Sequence, residues 1–289
     1  MRETASGDEG ASMRYLLLFL ITSFQSPTPE DLLKSATDAL RKKQPQEAIK
    51  FVTKAIDASP RFVDALEFRA HVYETLDKYN EAADDYTKII ALDKTLANIY
   101  QQRGSVHFKA GKIKESIDDF DKYIELKPLA KVSHWQRGIS YYYAGRYDDG
   151  RKQFEGYQDF DSNDVENAVW RFMCMVRKDG LAKARKDILK IGDDRRVPMR
   201  QVYDLYKGDL KADDVLAATK AGDPSATQLS QRLFYAHLYV GIYQDLLGDK
   251  KAAFDHLNKA TEEHRIGHYM WDVARVHRDL LGKELKKEK

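Results

Sequence analysis

Arg69-Ala70, Arg103-Gly104 and Arg137-Gly138 recur at intervals of 34 residues. One register set on these dipeptides orders the sequence around them. With units starting at Pro29, Val63, Ala97 and Lys131, a small residue recurs at Ala48, Ala82, Ser116 and Gly150. Four residues on comes a large one, at Val52, Tyr86, Phe120 and Phe154; three further on stand Ala55, Ile89, Tyr123 and Tyr157. Upstream, Ala36, Ala70, Gly104 and Gly138 form a second small set, followed by Ala39, Tyr73, His107 and Tyr141. Small residues suit the points where two helices cross closely, and large ones fill the space beside the crossing. The units end at Pro60, Lys94, Pro128 and Ser162. Proline cannot continue a helix and so forces a turn. Tyr79-Asn80-Glu81, Gly111-Lys112-Ile113 and Gly145-Arg146-Tyr147 supply the short turn within a unit.

A helix–turn–helix unit of 34 residues is the tetratricopeptide signature. The expected fold is therefore all-α, an α-solenoid of such repeats wound as a right-handed superhelix. Residues 29–164 hold four repeats, and residues 165–229 read as irregular helical repeats. There Val165–Val176 pairs with Leu181–Ile191, and Val197–Tyr206 with Asp213–Lys220, before a break at Asp223-Pro224-Ser225. The pattern returns over residues 230–282, with Val240-Gly241, the turn Gly248-Asp249, and Ala253, Leu257 and Ala260. Ile266–Leu281 reads as a closing helix, and Lys283–Lys289 as a charged, solvated end. Terminal repeats need polar caps to stay soluble.

Composition narrows the class. Of 289 residues, 43% are apolar and 33% charged, with 16 Gly and 7 Pro, which excludes collagen-like and Pro/Gly-rich disordered chains. One cysteine excludes an intramolecular disulfide framework. A formal charge of +2 gives no reason to expect a nucleic-acid partner. The apolar run Tyr15–Phe24 is too short for a membrane-spanning helix, which needs about 20 residues. Behind Met13-Arg14 it reads as the core of a signal peptide over residues 1–26, with Met13 as the true start and cleavage near residues 24–28. The plainer alternative is a buried apolar N-terminal helix. Export places the protein in the periplasm or outside the cell, with no stable membrane span; an uncleaved leader would leave a cytoplasmic scaffold.

Two segments resemble one branch of tetratricopeptide proteins. The first runs from Gln136-Arg137-Gly138 through Tyr141-Tyr142-Tyr143-Ala144-Gly145-Arg146 to Gln158–Asp164 and Trp170. The second is Phe234-Tyr235 followed by Gly241, Tyr243, Leu247-Gly248-Asp249 and Ala253. Their order, and the irregular stretch between them, resemble the bacterial cell-envelope adaptor family called new lipoprotein I. The resemblance implies a helical, dimeric adaptor that brings cell-wall hydrolases to a carboxyl-terminal processing protease. The family's lipid-anchor cysteine is lacking here, so no lipid anchor is expected.

In such a solenoid the first helix of each repeat lines the concave face. Repeat two then offers Asp64, Glu67, His71, Glu74 and Thr75, and repeat three Asn98, Gln101, Ser105, Phe108 and Lys109. Repeat four offers Val132, Trp135, Ile139, Tyr142 and Tyr143. Among these, Glu67, His71, Gln101, Phe108, Trp135, Ile139, Tyr142 and Tyr143 are the candidate groove for a protein or peptide segment, with aromatic anchors that bury large areas at low entropic cost. The competing reading packs Trp135, Tyr142 and Tyr143 against Val165–Val176. Glu67, His71, Gln102, Val132 and Gln136 contain no cation pair, so a clamp for a carboxylate tail is not expected.

No phosphate-binding loop, nucleophile elbow, zinc-protease motif or dinucleotide fingerprint occurs, so neither an enzyme nor a cofactor is expected. His264 and His268 have the spacing of a helical metal pair, but Gly267 between them argues for a helix break and no metal. Cys174, among Trp170, Phe172, Met173 and Met175, reads as buried and inert. The paired acids Asp84-Asp85 and Asp118-Asp119 follow the repeat rather than forming an acid/base dyad. The leading function is a protein-binding adaptor; the alternative is a structural subunit of an envelope or secretion complex that works through its outer face.

Overall fold

A computed structural model describes residues 26–287. The leader expected over residues 1–26 falls, but for its last residue, outside the described part. The described residues form helices and connections, without strands.

The helices come in pairs: α1 (Pro29–Arg41) with α2 (Pro45–Ala58), α3 (Val63–Thr75) with α4 (Tyr79–Leu92), α5 (Ala97–Lys109) with α6 (Ile113–Leu126), and α7 (Trp135–Tyr143) with α8 (Tyr147–Tyr157). Then follow α9 (Val165–Asp179) with α10 (Leu181–Lys186), α11 (Met199–Lys207) with α12 (Ala212–Ala218), α13 (Ala226–Leu246) with α14 (Lys250–Glu262), and α15 (Tyr269–Lys287). The stack opens on Thr28, whose side chain accepts from the Asp31 amide while Asp31 accepts from that of Thr28, with Pro29 at the first helical position. Ser225 and Gln228 repeat this device at the start of α13.

The register chosen from the sequence is the register of the packing. A Cβ on Gly138 would lie 2.6 Å from the ring of Phe154, and one on Gly104 2.8 Å from that of Phe120. Only glycine lets these helices cross at that separation. The residue that closes each first helix sits in the left-handed region: Lys43 at φ 58° and Asp77 at φ 57°, then Gly111 at 76° and Gly145 at 71°. The same turn is built four times, twice without the residue that suits it.

The 34-residue arginine explains itself in the same frame. Arg69 donates through Nε and Nη2 to both oxygens of Asp85, each at 2.7 Å, and through Nη1 to Thr53 Oγ1 at 3.0 Å. Arg103 does the same with Asp119 and Thr87, whereas Arg137 donates through Nε and Nη2 to the one oxygen of the Gln153 amide and through Nη1 to Asp121. Each arginine ties its own repeat to the second helix of the repeat before. Arg171, 34 residues after Arg137, continues the ladder by binding Glu155 and the carbonyl of Asp187. The register thus runs one unit past Asp164, into the stretch read as irregular.

Other expected boundaries shift. The partner of α9 stops at Lys186 instead of Ile191, and residues 187–198 run as a connection to α11. The closing helix runs on to Lys287, because the Lys- and Glu-rich end is made of good helix formers. His264 and His268 fall between α14 and α15, not on one helix face. The buried apolar residues form two clusters that meet within α5, where Val106 belongs to one and Phe108 to the other.

Candidate binding face

The first helices α3, α5 and α7 stand side by side and join across repeats. Gln102 donates to Glu67 Oε1 at 3.0 Å, Lys109 to Glu74 Oε2 at 2.7 Å, and Gln101 to Gln136 Oε1. His71 is exposed, lies 3.3 Å from Gln102 Nε2, and meets the Tyr86 ring edge-on at 6.1 Å. His134 caps α7 by accepting from the Arg137 amide at Nδ1, and its Nε2 meets Gln101 Oε1 at 2.5 Å. Burial, with the nearby Arg137 charge, pushes the His134 imidazole down to about 4, so it is neutral and donates from Nε2.

Helix α15 folds back across the second half of this face. Tyr269 packs against Phe108, ring centroids 5.3 Å apart, and edge-on against Trp135 at 5.3 Å. The Tyr143 hydroxyl reaches His277 Nδ1 at 2.9 Å, and His277 in turn contacts Asp245, which binds Arg177. At the far end Tyr79 donates to Asp272 at 2.8 Å and Arg275 to the Lys109 carbonyl at 2.6 Å. Tyr142 meets Trp170 of α9 edge-on at 5.6 Å, and Arg177 donates to its hydroxyl. Burial raises the Tyr142 and Tyr143 phenols well above their ordinary range.

The eight groove residues singled out by the sequence therefore divide. Glu67, His71 and Gln101 stand on the part of the face that α15 leaves open. Phe108, Trp135 and Tyr143 hold α15 itself. Ile139 and Tyr142 are buried. The role of α15 escaped the sequence reading, although its composition carried the signal. Tyr269, Met270, Trp271, Val273, Val276 and His277 are too apolar and aromatic for a solvated cap.

Beneath the start of α15 lies a cavity of about 230 Å³ between α7, α9, α13 and the 187–198 connection. Its lining includes Trp135, Ile139, Asp164, Glu166, Asn167, Trp170, Arg196, Tyr235 and His268. Arg196 donates to Asp164 at 2.6 Å, Glu166 at 2.7 Å and Asp194 at 2.6 Å. Burial raises the Glu166 carboxyl, and the Arg196 guanidinium draws it back. Among the described residues no cluster of His, Cys, Asp or Glu could hold a metal ion. No helix among them is long and apolar enough to cross a membrane.

Tetratricopeptide-repeat sequence profiles match residues 33–97 and 97–128. The chain is a tetratricopeptide-repeat protein. Solved structures agree on the solenoid fold. A tetratricopeptide repeat protein from Parabacteroides merdae is 15% identical, with a TM-score of 0.55 over 88% of this chain and 98% of that one. The MamA protein is 20% identical, with a TM-score of 0.51 over 56% of this chain and 88% of that one. No curated protein matches the sequence. A tetratricopeptide solenoid is a protein-interaction scaffold, and its helical faces are what it offers to a protein or peptide partner.

Proposed function

We propose that this tetratricopeptide solenoid is a non-enzymatic adaptor of the cell envelope, binding protein partners on the inner face of its first three repeats. The observation that carries the reading is the division of that face. Its aromatic half is filled by α15, whereas its polar half, with His71 exposed between Glu67 and Gln102, is unfilled and tied into one surface by cross-repeat hydrogen bonds. The envelope setting is supported by the leader-like run Tyr15–Phe24, and the pairing of a cell-wall hydrolase with a processing protease by the family resemblance.

The test is a photo-crosslinking amino acid placed at His71, with Asp84, exposed on the second helix of the same repeat, as control. Adducts to cell-wall enzymes or a protease formed from His71 but not from Asp84 are the expected result. Adducts only from Asp84 would overturn the groove reading in favour of an assembly subunit that works through its outer face. Recovery of the protein from its native cell with the run Tyr15–Phe24 retained would overturn export.

A further inference from the structure

Three histidines meet at one point of the C-terminal repeat. His237 comes from α13, His256 from α14, and His264 from the connection between α14 and α15. The Nδ1 atoms of His237 and His256 are 2.9 Å apart. The His264 ring stacks on that of His237, 7° from parallel with centroids 5.8 Å apart, and its Nδ1 lies 3.4 Å from Ser230 Oγ of α13. His237 is 7% exposed, and the other two are partly buried.

Such a cluster limits the protons it can hold. Two ring nitrogens at 2.9 Å share a hydrogen bond only while one of them keeps its lone pair. A second proton would set N–H against N–H and charge against charge, with a third imidazole stacked on the first. Lys259 of α14 stands near both His237 and His256 and adds to that repulsion. Asp255 of α14 and Asp213 of α12 favour a charge on His256, and Glu263 favours one on His264. Burial outweighs these carboxylates and holds all three imidazoles below their ordinary value, His237 at about 4. Parted and in water, each would take a proton near pH 6.5, roughly the unperturbed value.

The place of the cluster gives it a consequence. Between His256 and His264 lies the end of α14, to which α15 is tied. Trp271 Nε1 donates to the Thr261 carbonyl at 3.1 Å, and Arg278 donates to Thr261 Oγ1 at 2.7 Å and to Glu262. The connection over residues 263–268 then leads to Tyr269, which packs on Phe108 and Trp135. Parting α14 and this connection from α13 therefore loosens the seat of α15.

We propose that His237, His256 and His264 form an acid-operated latch on the cover of the binding face. Neutral, they hold α14 and its connection against α13 and keep α15 seated. Protonated, they part, and α15 loosens from the aromatic half of the face. Because folding lowers these groups, their hold is complete above about pH 6.5 and is lost as pH falls towards 4. The latch needs no partner, so it stands or falls separately from the adaptor reading.

The test is hydrogen exchange of the full chain at pH 7.5 and pH 5, each amide corrected for its intrinsic rate. One imidazole lowered from about 6.5 to about 4 makes opening about thirtyfold more frequent at pH 5 than at pH 7.5. Protection of α14 and α15 should fall by that factor or more relative to α1 and α2, which contain no histidine. His237→Gln with His256→Gln supplies amides that hydrogen-bond without titrating, and should remove most of the fall. Circular dichroism at pH 7.5 checks that this variant is folded. An equal fall in α1 and α2, or a fall undiminished in the double variant, would overturn the proposal; the second result would trace the effect to His134, His268 or His277. Nuclear magnetic resonance titration of the unaltered chain gives an answer that does not depend on the variant. His237 and His256 should take up protons well below pH 6.5, in the same step in which the α15 amide signals change. Ordinary titration of both imidazoles, with the α15 signals unchanged, would overturn the latch.

Discussion

Replacing Arg69 with methionine tests whether the 34-residue arginine is a structural tie or a partner-binding residue. Arg69 and Asp85 are 9% and 1% exposed and share two 2.7 Å hydrogen bonds. Arg69→Met keeps most of the buried stem and removes both bonds, together with the one to Thr53. Asp85 is then left with Lys88, whose side chain is 53% exposed. Breaking a buried, hydrogen-bonded pair costs about 3–5 kcal/mol, because the surviving charge stays desolvated. The remaining Lys88 contact puts the expected cost at the low end, about 3 kcal/mol. At about 2–4 °C per kcal/mol for a chain of this size, the melting temperature should fall by about 6–12 °C. Repeat arrays need not unfold in one step, so hydrogen exchange of α3 and α4 should report the loss where it occurs. Arg69→Met with Asp85→Leu removes both charges and should recover about 2 kcal/mol of the loss. A single variant within about 1 kcal/mol of the parent, or a double variant as damaged as the single, would refute the ladder as a source of stability.

Gly138→Ala should destabilise by about 1–3 kcal/mol in urea, because the new methyl meets the buried Phe154 ring at 2.6 Å; adding Phe154→Leu should restore part of it. Lys43→Gly should instead stabilise by about 0.5–1 kcal/mol, since the exposed Lys43 occupies the left-handed position that glycine fills at Gly111 and Gly145. The His134 imidazole is lowered to about 4 in the folded chain, against about 6.5 unfolded. Its stabilisation is therefore complete above about pH 6.5 and lost as pH falls towards 4. Comparing urea midpoints of the parent and His134→Gln at pH 7.5 and 4.5 should show their difference shrink by up to about 3 kcal/mol, and a pH-independent difference would contradict the assignment. Trp135→Ala should lower the melting temperature by several degrees and speed hydrogen exchange in α15, because Trp135 supports Tyr269 and His268. Unchanged exchange there would mean that α15 holds without it.

The repeats were legible because a helix crossing constrains residue size at fixed spacing. Gly138 against Phe154 is a local rule, written in residues 16 apart. Arg171 obeyed the same spacing, but in its unit the turn glycine, Gly180, falls one residue late and the second helix is cut short at Lys186, and so the register faded from view while the arginine tie persisted. The cover over the groove was less legible. Tyr143 and His277 are 134 residues apart, and Tyr79 and Asp272 are 193 apart. No periodicity relates them, and only the closing of the solenoid brings them together. The cavity is harder still, for Arg196 enters it from the gap between two expected helices, where no periodicity places a side chain.

The position of α15 bears on how a partner is held. Aromatic side chains provide the strongest anchors in most interfaces, yet Phe108, Trp135 and Tyr143 already anchor α15. Displacing that helix would expose the buried Met270, Trp271, Val273 and Val276, and would unpair Tyr79 from Asp272. At about 1.5–3 kcal/mol for each large apolar side chain returned to water, such a partner would have to offset several kcal/mol before gaining any affinity. A partner that leaves α15 seated meets a polar surface of Glu67, His71, Gln101 and Gln102, where charge and hydrogen bonding set orientation and encounter rate more than affinity. The fold therefore favours a partner that binds through polar contacts on the open repeats and leaves α15 in place.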